Sequence, residues 1–173
     1  MLPPATLAWR APGPPVDPPA AERRLEITTQ PNPPFFEDVE LGDEIGPLEV
    51  VATDEGVVSF CEIWGSSMPS RFTDRAIAEE ARLSGPIVPG IMSMALMSQL
   101  LTSWAGPEAL RDLDLVFRQP VPHNELLIIT GTVTDTRQEN GENLVECDIL
   151  MTTGEGNRHV GGKAVVALAA RPK

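Results

Sequence analysis

Gly85-Pro-Ile-Val-Pro-Gly-Ile-Met-Ser-Met-Ala-Leu-Met-Ser-Gln-Leu-Leu-Thr-Ser-Trp-Ala-Gly106 opens with glycines and prolines, then continues for several turns without one charged side chain. Pro89 and Gly90 predict the start of a helix. Ile91, Met92, Met94, Ala95, Leu96, Leu100, Leu101 and Trp104 put apolar groups on nearly every side of it. A helix apolar all round is expected to be buried, in a core or in a membrane. Ser93, Ser98, Gln99, Thr102 and Ser103 interrupt the run, so no uninterrupted span of membrane length exists. The expectation is one central helix, residues 91–104, with other structure wrapped around it and Leu96, Leu100 and Leu101 in the core.

The wrapping is legible downstream, where the period changes. Leu113, Leu115 and Phe117 alternate with Asp114, Val116 and Arg118, as in a half-buried strand. Residues 126–136 form a long β-branched run, and residues 144–153 a second one. Asn140-Gly141 between them is a hairpin signal. A turn at residues 154–157 precedes a last strand over residues 160–169. Successive hairpins imply an antiparallel sheet. Upstream, residues 48–52 read as a first strand. Thr53 or Asp54 can cap a helix carrying Val57, Phe60, Cys61 and Trp64, which Gly65 ends. Thr73 or Asp74 can cap a short helix reaching Leu83. The pattern predicts an α+β domain, an antiparallel sheet around a long central helix, which is the hotdog arrangement.

Composition bounds the function. The chain has 173 residues, enough for one domain with a substantial core. Its formal net charge of -12 argues against nucleic acid as a partner. The two cysteines, Cys61 and Cys147, make no disulfide framework, so a reducing compartment is expected. The first residues show no basic region followed by an apolar run, and a cytoplasmic location without a secretion signal is the expectation. Residues 1–34 are crowded with proline and read as a separate N-terminal extension, a tail or an arm lying on a partner. The domain proper is expected over residues 35–173.

Several stretches together resemble the MaoC-like dehydratase family, the hotdog (R)-specific enoyl-CoA hydratases. These are Phe36-Glu-Asp-Val-Glu-Leu-Gly-Asp43, Phe72-Thr-Asp74, Gly85-Pro-Ile-Val-Pro-Gly90, Leu101-Thr-Ser-Trp-Ala-Gly106 and Phe117-Arg-Gln-Pro-Val121. The resemblance covers about residues 35–170. It implies addition of water across a double bond next to a thioester. An Asp and a His on the loop before the short helix would serve as general base and general acid. A backbone amide at the start of the central helix would polarise the thioester oxygen.

The resemblance departs at that pair. Phe72 stands where the His is expected and Ser67 where the Asp is expected, and Pro69 replaces an Asn. Gly90 still aligns with the polarising amide, so the thioester cradle is expected at Gly90 and Ile91, with Arg71 near its mouth. A register shift by one would place Arg71 and Ser66 at the pair, which restores nothing.

Other titratable groups read as structural. His123 and His159, the only histidines, are expected in a loop and at a strand start on the surface, in no spaced metal-ligand cluster. Neither a metal nor a cofactor is implied. Arg118 reads as a solvated strand residue, and Glu62 and Asp74 as helix-surface and cap residues. Met92, Met94 and Met97 read as core, although one face can line an acyl tunnel.

Three functions follow from the resemblance. One is a non-catalytic hotdog subunit that shapes the acyl-CoA pocket of a catalytic hotdog partner, as a homodimer or heteromer. Another is an acyl-thioester enzyme using Ser67, Arg71 or Asp74. The last is a plain acyl-thioester binding module. A thioesterase is disfavoured because residues 91–104 hold no acidic group.

Overall fold

The computed structural model describes residues 32–172, so the proline-rich extension falls almost wholly outside the described residues. A short 3₁₀ turn, Phe36–Asp38, leads into β1 (Glu44–Val51), α1 (Asp54–Trp64), α2 (Arg75–Glu80) and α3 (Gly90–Ala105). The strands β2 (Leu110–Phe117), β3 (Leu126–Glu139), β4 (Glu142–Thr153) and β5 (Arg158–Leu168) follow. They form one antiparallel sheet of order β1-β3-β4-β5-β2. With α3 against its inner face, this is the hotdog fold that the sequence implies.

Local chemistry sets the boundaries. Thr53 rather than Asp54 caps α1, its hydroxyl accepting the Gly56 N–H at 3.1 Å. Gly65 ends α1 in the left-handed region at φ 75°, where its N–H donates to Cys61 O. The Asp74 carboxylate caps α2 by accepting from the Ile77 N–H. α2 stops at Glu80, before the expected Leu83, because Arg82 turns the chain at φ 61°. Asn140 and Gly141, both at positive φ, make the β3–β4 hairpin.

α3 runs one residue further at each end than expected. Ser93, Met97, Leu100, Leu101 and Ala105 are buried, one face at helical spacing. Against them lie Ile45, Ile129, Val145, Ile149, Met151 and Val166 of the sheet. Leu100 and Leu101 are core as expected, and Leu96 is half-buried.

The expectation of a helix buried on every side is corrected. Ile91 and Met94 are 44% and 42% exposed, and Ala95 beside them is exposed too. A single five-stranded sheet covers only one side of a helix. The opposite apolar stripe stays open in the isolated chain.

Two glycines let backbone approach closely. β5 lies close beside its neighbour β2 at Gly162, where an added Cβ would stand 1.9 Å from the Asp114 carbonyl oxygen. β1 bulges at Gly46, with φ 93°, and a Cβ there would meet Leu100 Cδ1 at 2.8 Å.

Candidate functional site

Three pieces of chain lie side by side before α3. The Ile87 N–H donates to Arg71 O at 3.3 Å, and the Val88 N–H donates to Val121 O at 2.9 Å. Ile87 also bridges to Pro122. The loop carrying Phe72, the segment leading into α3 and the segment before β3 therefore share one wall.

Phe72 is half-buried and packs against the core. Its N–H donates to Ser70 Oγ, and the Arg71 guanidinium lies over its ring, 5.0 Å from the centroid. Ser67 is exposed on the same loop. Gly90 opens α3 after Pro89, and no side chain caps that helix. Its first-turn amides keep their hydrogen-bonding capacity, at the end of the helix that favours negative charge. The ring of Phe117 lies beside Gly90. Ile91, adjoining it, is exposed.

A cleft of about 480 Å³ opens on this wall, lined by Phe72, Thr73, Arg75, Ile87, Pro122 and His123 among others. Arg71 does not line it. Arg75 does, its guanidinium donating to Ser84 O at 3.3 Å and lying 3.5 Å from Glu79.

His123 lies in the loop before β3 that the sequence predicts, but its ring is not on the surface. Its side chain is only 7% exposed, and its Nδ1 stands 2.8 Å from Asp54 Oδ1. Nε2 is buried and has no hydrogen-bond partner among the described residues. Asn124, next in the chain at φ 59°, accepts the Asp54 N–H through its side chain. The His123 hydrogen bond foremost, then that of Asn124, holds the Asp54 carboxyl below the usual aspartate range. The signal lay in strand pairing: Val51 at the end of β1 faces Leu126 at the start of β3. That register brings the residues just after 51 next to those just before 126.

His159 is corrected likewise. It is 6% exposed, not on the surface, and Nδ1 donates to Pro120 O at 2.7 Å. A carbonyl can only accept, so its proton sits on Nδ1. Glu62 is exposed on α1 and Arg118 is exposed beyond β2. Met97 is fully buried, whereas Met94 is on the open stripe. Both cysteines are free and buried, and burial pushes the Cys147 thiol up to about 12. Among the described residues no group of His, Cys, Asp and Glu is gathered to hold a metal ion. No helix among them is long and apolar enough to cross a membrane.

A family model described as a MaoC like domain matches residues 72–154. The matched segment is similar to that domain. The match begins at Phe72 and takes in the cleft segments, α3 and the sheet through β4. Solved structures share the hotdog fold. An (R)-hydratase from A. caviae involved in PHA biosynthesis is 24% identical, with a TM-score of 0.68 over 76% of this chain and 98% of that one. A MaoC-like dehydratase from Rhodospirillum rubrum is 20% identical, with a TM-score of 0.68 over 80% of this chain and 99% of that one. The ChsH1-ChsH2 complex from Mycobacterium tuberculosis contains a chain 20% identical, with a TM-score of 0.64 over 77% of this chain and 99% of that one. A comparison with curated proteins gives no match.

Proposed function

We propose that this MaoC-like chain is the non-catalytic hotdog subunit of an enoyl-CoA hydratase, binding the acyl thioester and shaping the pocket of a catalytic hotdog partner. The observation that carries it is Phe72. At the position where the resemblance expects the proton-transferring His, the chain has a half-buried phenyl ring packed on the core. A phenyl group has no exchangeable proton, and the exposed Ser67 offers no carboxylate. The start of α3 keeps its uncapped amides, which suit a thioester oxygen that gains negative charge.

A partner has a surface to meet. The open stripe of Ile91 and Met94 on α3 adjoins Phe117 at the end of β2, itself 46% exposed. β2 is a sheet edge with unpaired backbone groups along one side. The relative described as a ChsH1-ChsH2 complex is an assembly of two different chains, which favours the heteromeric form of this reading.

The test is a hydration assay with the full chain alone and with a second hotdog protein that keeps the Asp and His, using trans-2-enoyl-CoA. The chain alone is expected to give negligible turnover and to bind the thioester, and the pair is expected to be active. Robust hydration by the partner-free chain would falsify the proposal.

A further inference from the structure

β1 is the other edge of the sheet, opposite β2. It pairs with β3 on one side only, so a row of its backbone groups meets no strand among the described residues. The flank of α3 beside it is incompletely covered. Leu100 meets the β1 bulge at Gly46 and is buried. Leu96 and Trp104, one helical turn to either side of Leu100, share that flank and are only half-buried, as is Leu48 on β1.

The described chain begins at this edge. Asn32 lines a cleft of about 310 Å³ together with Trp104 and with Glu44, the first residue of β1. Residues 1–31 lie outside the described residues. Near their end, Arg24-Leu-Glu-Ile-Thr-Thr-Gln30 differs from the rest of the extension in holding no proline. Leu25, Ile27 and Thr29 alternate with Glu26, Thr28 and Gln30, which is the period of a half-buried strand.

Direction, length and charge point the same way. A chain that reaches Asn32 beside the start of β1 can run upstream along β1 only antiparallel to it. β1 has eight residues, a span that residues 24–31 match at ~3.3 Å each. β1 carries exposed Glu44 and Glu49, opposite in charge to Arg23 and Arg24. Pro47 has no N–H and sits in the β1 bulge, so an added ladder is strongest along residues 48–51.

We infer that residues 24–30 add to the free edge of β1 as a sixth, antiparallel strand of the same chain, with Leu25 and Ile27 covering Leu48 and Leu96. This strand closes the β1 edge of the five-stranded sheet and leaves β2 as its open edge. Edge-to-edge association is then limited to a closed pair, because a sheet with one open edge cannot stack onward. The inference is independent of the thioester reading.

The experiment is hydrogen exchange on the full chain, followed amide by amide with NMR. The amides of residues 24–30, and the β1 amides that point away from β3, should be protected. Ile27→Pro removes one N–H and one apolar side chain, and leaves every residue of the described core in place. In that variant the outward β1 amides are expected to exchange about 2–10-fold faster, the effect of one lost hydrogen bond each. The β1 amides bonded to β3 should not change. Methyl contacts between Ile27 and Leu48 or Leu96 in the parent give a second readout that needs no variant. Outward β1 amides that exchange alike in parent and variant, or absence of those methyl contacts, overturn the inference. So does protection that returns to isotope-labelled Ile27→Pro on mixing with unlabelled parent, since the strand then comes from a second copy.

Discussion

The ring of Phe117 lies against Gly90, so close that an added Cβ on the glycine would stand 3.5 Å from the ring. That is ordinary contact, without overlap. Gly90→Ala is therefore expected to fold, and by the helix propensity of alanine to gain as much as about 1 kcal/mol. The same methyl group would sit beside the α3 amides that the proposed function assigns to the thioester oxygen. Melting should be unchanged or higher, with acyl-CoA affinity reduced. A variant that binds the ester as tightly as the parent would place the cradle elsewhere.

Leu100 tests the core. It is 3% exposed, on the α3 face that meets the sheet, and contacts the β1 bulge at Gly46. Leu100→Ala should cost about 2–5 kcal/mol, the range for buried leucines whose cavity only partly collapses. Met94→Ala, on the open stripe, should cost much less in the isolated chain. Chemical denaturation of both variants separates these outcomes.

These two methionine and leucine positions mark how far the sequence could be read. The glycine–proline frame before α3, the apolar run and Asn140-Gly141 each have one local physical meaning, and each led to the right element. Period alone could not divide α3 into a face for its own sheet and a face left open. Both are apolar, and what separates them is the arrangement of the other strands. The Asp54–His123 pair was illegible for a related reason. Asp54 read locally as a cap and His123 as a loop residue, and only the β1–β3 register joins them. The reading of Phe72 and Ser67 rests on the resemblance alone, with no local pattern behind it.

Acid should weaken the Asp54–His123 contact. The Asp54 carboxyl in the folded chain lies below its unfolded value, through hydrogen bonds from His123 and then Asn124. Its contribution is therefore fully present above the unfolded aspartate value, and is lost as pH falls through the folded one. Asp54 is 64% exposed, so solvent screens the pair, and the effect should be about 0.2–1 kcal/mol. Melting curves of the parent and of Asp54→Asn should differ near neutral pH and converge in acid. A gap that persists below the folded aspartate value would contradict the pairing.

Ser67→Asp with Phe72→His would supply the acid–base pair that the resemblance implies. Ser67 is exposed on a loop, so Ser67→Asp should cost little stability. Phe72→His removes part of a half-buried ring from the core and should lower the melting temperature. A positioned acid or base commonly contributes about 10²–10⁴-fold, and the two roles act together. The double variant is therefore expected to hydrate trans-2-enoyl-CoA measurably, while each single variant stays near the parent. Pro69, where the resemblance expects an Asn, limits how well the loop presents the new pair, so recovery should be partial and rise further with Pro69→Asn. If the double variant folds and binds the thioester yet remains inert with either residue at position 69, the α3 amides are not placed to polarise the ester, and the cradle assigned to Gly90 has gone with the pair.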